Sequence, residues 1–276
     1  MAYLLNGAAQ AGPEAPPIFH PALRRPLEYN SLPQLQCREV IMADEFTGFK
    51  PESFQFFREL ARNNHKPWFD DHLNLYETHV IGAFRGLLAA LEPAILELNP
   101  HFEIGGKTNG NFSRINRDIR FAKDKSPYKS NYYLRVFDSR RSVKTDGCLY
   151  VGLSADCLTV GFATYATWGR GPKGALETVF RPRFERRRAE FDRLLQAIVR
   201  KGRYETYWHR QERGSWTQHP GLPRKDADWM TLQAWIVRKV FPAGSKAIEN
   251  KAFVGKVEAV FRGLYPLYAF TSSPKL

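Results

Sequence analysis

Between Gly147 and Ala166 the chain carries a single charged residue, Asp156, and its apolar residues tend to alternate. A two-residue period places Leu158, Val160 and Phe162 on one face of a strand. The turn residues Ser154-Ala155-Asp156-Cys157 then join Leu149 to Leu153 and Leu158 to Tyr165 as an antiparallel hairpin. Asn131 to Asp138 is expected to add a further strand. A sheet this apolar must be covered, and segments of helical period lie on both sides of it in sequence.

On the N-terminal side, Pro51 suits a first helical position and Glu52 complements the helix dipole. Phe54, Phe57, Leu60 and Ala61 recur at helical spacing, and Asn63-Asn64 ends that helix. Pro67 opens a second helix whose stripe of Trp68, Leu75, Tyr76, Val80, Leu87 and Leu91 runs until Pro93 interrupts it. From Phe112 the period shifts towards two. After Gly169-Arg170-Gly171-Pro172 helix returns over Ala175 to Val199, bent or broken near Pro182, and again over Lys246 to Leu264. The expectation is an α+β fold with N-terminal helices, a central, mainly antiparallel sheet and C-terminal helices, rather than a doubly wound parallel sheet. No internal repeat is visible.

Residues 1–45 differ from the rest. Pro13, Pro16, Pro17, Pro21, Pro26 and Pro33 break every helix there and no apolar period survives between them, which predicts a disordered, Pro-rich extension. Met42-Ala43-Asp44-Glu45-Phe46 looks like a natural start for the working protein. A single α+β domain is expected over 46–272.

The chain holds 41 Lys and Arg against 28 Asp and Glu, a net charge of +13. Such a balance suits an anionic partner, a phosphate-bearing small molecule or nucleic acid, and equally suits plain solubility. Cys37, Cys148 and Cys157 are too few for a disulfide framework, and no CxxC pair suggests structural zinc. With no leader-like start and no run of about 18 apolar residues, a cytoplasmic location away from membranes is expected. The chain has no GxSxG, HExxH or GxGxxG, which removes most support for hydrolases, zincins and dinucleotide enzymes. No cofactor is indicated.

The densest signal is Arg114 to Lys129, with six cations and two carboxylates in sixteen residues. Read as a strand, its first part places Ile115, Arg117, Ile119 and Phe121 on one face, where Arg117 among apolar groups demands an anionic partner. Arg114, Asp118 and Arg120 then share the other face, with Asp118 fixing a guanidinium. Lys123, Lys125 and Lys129 follow in a turn organised by Ser126 and Pro127, and Tyr128 is placed to stack or donate a hydrogen bond. The candidate ligand-binding set is therefore Arg114, Arg117, Arg120, Lys123, Lys125, Tyr128 and Lys129. Three readings stay open. The segment binds a phosphate-bearing or polyanionic ligand; or it supports phosphoryl transfer or phosphodiester cleavage with Asp118 or Asp124 as base or metal ligand; or it is an internal ion-pair scaffold paired to Glu52, Glu59, Asp70, Asp71 and Glu77. Carboxylates flanked by cations are expected to be poor bases, which weakens the second.

This segment, with Asn63-Asn64-His65-Lys66-Pro67-Trp68-Phe69 and Tyr76, resembles the domain of unknown function 2461 family, conserved hypothetical proteins of bacteria and fungi. The resemblance covers about Phe46 to Ser272. It implies no biochemical activity. The chain departs from the family pattern at Asp70-Asp71-His72.

Weaker patterns carry less. His65, His72 and His79 recur every seven residues, about 10 Å apart along a helix and too far for two of them to hold one ion. Lys107-Thr108 after Gly105-Gly106 lacks the first glycine of a phosphate loop and reads as a turn. Arg181 to Arg193 holds six Arg and three acids, as expected of a solvated helix face.

Overall fold

The computed structural model describes residues 45–120, 122–141, 146–166, 173–212 and 215–272. The extension expected over residues 1–45 therefore lies outside the described residues except for Glu45.

Helix α1, Pro51–Arg62, begins at the anticipated proline and buries Phe54, Phe56, Phe57 and Leu60. Asn63 ends it, donating its backbone N–H to Glu59 and Leu60. The second helical region is divided into α2, Lys66–Asp71, and α3, Leu73–Tyr76. A π-helical segment, Glu77–Gly82, then leads into α4, Ala83–Leu98. Widening the helix there alters the carbonyl directions, and the buried Ser53 hydroxyl donates to the His79 carbonyl at 2.6 Å.

Pro93 was expected to interrupt this run and does not. Pro93 is exposed, as is Ala89, whose carbonyl loses its helical partner, so that carbonyl lies on the solvent side of the helix. The continuous helical run Leu73–Leu98 is long and apolar enough to cross a membrane by length and composition. This differs from the expectation of no run of about 18 apolar residues. Val80, Phe84, Leu87, Leu91 and Ile95 are fully buried in the core, which accounts for its apolar character.

Six strands form one antiparallel sheet: β1 Asn131–Val136, β2 Cys148–Ser154, β3 Cys157–Tyr165, β4 Glu205–Glu212, β5 Ser215–Pro220 and β6 Leu232–Pro242. Their order is β1-β2-β3-β6-β4-β5. The β2–β3 hairpin has the register Val151↔Val160 and Leu149↔Phe162, placing its large apolar residues on the expected face. Three strands lie after the helices that follow β3, so the sheet extends further along the chain than the sequence reading placed it.

Between β3 and β4 a π-helical segment, Leu176–Phe180, leads into α5, Arg181–Arg186, and α6, Arg188–Leu194, followed by another π turn, Leu195–Arg200. The break falls at Arg187, with φ −128° and ψ 36°, rather than at Pro182, which sits harmlessly in the first turn of α5. The short α7, Asp226–Met230, precedes β6. The last helix, α8, covers Phe253–Thr271. It starts later than expected because residues 246–252 form turns, with Asn250 Oδ1 accepting the Ala252 N–H at 3.0 Å. It continues through Pro266 because that ring also faces solvent.

One sheet face packs Leu134, Val151, Val160, Phe162, Trp235 and Val237 against helices α1, α4, α6 and α8. An aromatic cluster of Phe180, Phe191, Trp229, Trp235 and Phe270 fixes the β6 end. The opposite face carries a second buried cluster, Phe137, Cys148, Tyr150, Ala163, Tyr207, Ala234 and Ile236.

Candidate functional site

The loop entering β1 is organised by one buried asparagine. Asn111 donates through Nδ2 to the carbonyls of Glu103 (2.6 Å) and Arg135 (3.0 Å), and its Oδ1 accepts the Gly106 N–H at 2.9 Å. Gly106 takes φ +62°, a left-handed conformation that costs glycine little. Ser113 then locks the chain to β1: its N–H reaches the Tyr133 carbonyl at 2.9 Å and its Oγ accepts the Tyr133 N–H at 3.0 Å. Thr108, Ser113 and Arg114 are thereby held at the mouth of a cleft of about 400 Å³.

The facing wall comes from the helical run. Tyr76 and Ile81 are five residues apart and both line the cleft, a spacing that the i→i+5 repeat of the π turn brings onto one side. Glu77 and Arg85 complete that wall, and Tyr132 of β1 contributes between the two. Arg85 is exposed and has no hydrogen bond or ion pair with a described residue. Burial, with Tyr132 next to it, pushes the Tyr76 phenol far above its ordinary value, and burial raises Tyr132 to about 12. Both phenols are therefore neutral at physiological pH and able to donate a hydrogen bond.

Arg114 to Lys129 follows directly, and it is a loop rather than a strand. One bridge, Asn116↔Tyr128, closes it, with Arg117 N–H to the Pro127 carbonyl at 2.8 Å and Lys129 N–H to Ile115 at 2.9 Å. The alternation expected of a strand fails after Arg117 because the chain makes local side-chain bonds instead of ladder bonds. Ile115 is buried and Arg117 nearly so, its side chain 12% exposed. Arg117 finds its anion in Asp124 and also donates to the Ser126 carbonyl at 3.3 Å. Asp118 holds Arg120 in a bidentate pair at 2.9 and 2.6 Å, as the sequence suggested.

The lysines divide. Lys129 Nζ turns inward to the Arg114 carbonyl at 2.5 Å, Lys125 Nζ closes the loop on the Ile119 carbonyl at 3.0 Å, and Lys123 is exposed. Tyr128 is buried and stacks on Phe69 at 4.2 Å, so its ring belongs to the support of the loop and not to its open surface. Phe121 lies outside the described residues.

Asn64 connects the loop to the helices. Its Nδ2 donates to the Tyr128 carbonyl at 2.9 Å and its Oδ1 accepts the Tyr128 N–H at 3.0 Å. One side-chain amide thus satisfies both backbone groups of Tyr128, as a neighbouring strand would.

The two carboxylates are held in their charged form. The Arg120 guanidinium lowers Asp118 to about 2, and the Ser126 hydroxyl and N–H, then Arg117, hold Asp124 lower still. Neither is suited to accept a proton near neutral pH. The acids expected to serve an internal scaffold are in part engaged elsewhere: Asp70 pairs with Lys66 at 2.5 Å and Glu59 accepts from Gln55 at 2.6 Å. Among the described residues no group of three or more His, Cys, Asp or Glu is placed to hold a metal ion.

A family model described as "Conserved hypothetical protein (DUF2461)" matches residues 52–270, from α1 to α8. The chain belongs to this family. The DUF2461 match includes both walls of the cleft, the Asn64 contact and the whole Arg114–Lys129 loop. No curated protein matches the chain.

The sequence reading reached Arg114 but missed Arg85, Glu77, Ser113, Thr108, Asn116 and Tyr132 as cleft residues. Arg85 did leave a signal. It is the only Lys or Arg between Leu73 and Leu98, inside an otherwise apolar run.

The sequence also cast Arg181 to Arg193 as a solvated face, and only part of it is. Arg183 turns inward, donating to the carbonyls of Ala269 and Phe270 at 2.8 and 3.0 Å at the end of α8. Arg188 pairs with Asp192 and Asp226, while Arg186 and Arg193 are exposed.

Proposed function

We propose that this DUF2461 protein is a cytoplasmic binder of a phosphate-bearing small molecule, taken up in the cleft between the π segment and Arg114. The observation that carries the reading is that Arg85 and Arg114, from elements distant in sequence, line the same cleft. Arginine offers a planar set of donors matched to phosphate oxygens. Thr108, Ser113 and Asn116 supply neutral donors beside them, and exposed Lys123 adds positive charge on the adjoining loop.

Glu77 on the same wall selects further. A bare polyanion would meet its charge, whereas a phosphosugar or nucleotide presents hydroxyl groups to the carboxylate and phosphate to the arginines. Binding is favoured over phosphoryl transfer because Asp118 and Asp124, the carboxylates that the sequence offered as base or metal ligand, are locked in ion pairs.

A thermal-shift screen of sugar phosphates, nucleotides, short nucleic acids and inorganic phosphate tests this. A ligand selective for the native state adds about 2.7 kcal/mol at a hundredfold excess over its Kd. The expected result is a rise in Tm with one class of hydroxylated phosphate ester, larger than with phosphate alone. No rise with any phosphate compound would reject the reading.

A further inference from the structure

A second cleft, of about 510 Å³, lies at the other end of the sheet, where β4, β6, α5 and α7 meet. Its construction begins with a register fault. His209 pairs with Ala234 but Arg210 pairs with Leu232, so Gln233 bulges out of the ladder. Bulges redirect a side chain, and Gln233 lines the cleft together with Gln211 and Thr231.

Two arginines reach the same cleft in different states. Arg210 is fixed by Glu212 at 2.5 Å and Asp228 at 3.2 Å. Arg181 has no carboxylate partner among the described residues; it donates to the Leu232 carbonyl at 3.3 Å and its buried Nε has no partner there. A guanidinium left with one carbonyl in a half-buried cleft has unmet hydrogen-bonding capacity.

The charge balance narrows what can satisfy it. Arg181 and Arg210 are offset by Glu212 and Asp228, so the site offers an open guanidinium without an excess of positive charge. A dianionic phosphate would be poorly compensated, whereas a monoanionic carboxylate matches the fork of Arg181. Gln211 and Gln233, whose Nε2 also donates to the Thr231 carbonyl at 3.4 Å, supply donors and acceptors for a neighbouring amide; the Thr231 hydroxyl, which donates to Ala227, can accept, and Met230 gives an apolar contact.

We propose that this second cleft binds the carboxylate of a small N-acylated acid, with Arg181 as the anchor and the two glutamines reading the amide. The site is separate from the phosphate cleft and does not depend on it.

The test is a titration of the full-length protein with N-acetylglycine and N-acetylmethionine, each beside its carboxamide, and with inorganic phosphate. Saturable binding of an acid, weakened at least tenfold in its carboxamide and in Arg181→Gln, is expected. Arg181→Lys should retain part of the affinity, and Arg85→Gln should leave it unchanged. Gln233→Ala should weaken the N-acetyl acids more than acetate. Acids that bind no better than their amides, or no worse to Arg181→Gln, would overturn the proposal, as would phosphate displacing them competitively. Loss of phosphate-ester binding in Arg85→Gln with acid binding intact would separate the two clefts.

Discussion

Removing the Asn64 side chain should detach the cation-rich loop from the helices that support it. In Asn64→Ala two hydrogen bonds, of 2.9 and 3.0 Å, disappear together, leaving the Tyr128 N–H and carbonyl without their partners. Each bond contributes about 1 kcal/mol net, and stranding a buried polar group costs about 1–3 kcal/mol. Tyr128 is 6% exposed, although part of the vacated space admits water, so a total loss of about 2–4 kcal/mol is expected. Asn64→Asp is the sharper variant. It keeps the acceptor for the Tyr128 N–H but sets a carboxylate oxygen against the Tyr128 carbonyl, so it should destabilise despite near-identical size. Urea melts give the loss, and amide hydrogen exchange at Tyr128 locates it. Wild-type stability in both variants, or unchanged protection of the Tyr128 amide, would refute the idea that Asn64 holds the loop.

Arg117→Ala should cost about 1–2 kcal/mol in urea melts, through lost packing and the stranded Ser126 carbonyl, whereas Lys125→Ala should cost less than about 0.5 kcal/mol. Equal losses would contradict the inward placement of Arg117. Asp146 is fully buried, with Arg141 Nε 3.0 Å away, and burial raises its carboxyl from 3.8 to about 6 despite that cation. A folded-state value above the unfolded one favours the neutral acid. Its stabilising contribution is complete below about pH 3.8 and is lost as pH rises through about 6. Asp146→Asn should therefore gain up to about 3 kcal/mol over the parent at pH 7.5 and little at pH 4, as read from Tm across that range. A variant less stable at pH 7.5 would show that the Arg141 contact outweighs burial.

The parts of the fold legible in the sequence were the strands buried on both faces, β2 and β3, and helices with one clear apolar stripe such as α1. Asp156 stood alone in an apolar stretch and marked the β2–β3 turn. In β4 and β5, by contrast, Arg210, Glu212, Gln218 and His219 interrupt any apolar alternation, because β5 is the edge strand, β4 lies next to it, and part of each face meets solvent. Pro93 misled for a different reason: it is exposed, and the helix runs on through it. Within the site, the Asp118–Arg120 pair was legible because the partners are two residues apart. The cleft was not, since Arg85 and Arg114 meet only through the packing of α4 on β1, and the π turn that presents Tyr76 and Ile81 leaves no simple sequence period.

Phosphate-ester binding depends on the cleft between Arg85 and Arg114, and the most direct measurement is calorimetric titration of a phosphate ester, ribose 5-phosphate or adenosine 5′-monophosphate, near physiological salt. Losing a charged hydrogen-bond donor to phosphate costs about 1.5–3 kcal/mol. Arg85→Glu should therefore weaken binding at least tenfold while leaving Tm of the free protein within a few degrees. Arg114→Lys should weaken it severalfold. Reversal of Lys123 should reduce affinity modestly, and the double reversal Arg186→Glu with Arg193→Glu, on an exposed helix face, should change it less than twofold. Equal weakening by Arg85→Glu and by the Arg186 and Arg193 reversals would assign the binding to diffuse positive charge and contradict a site in the cleft.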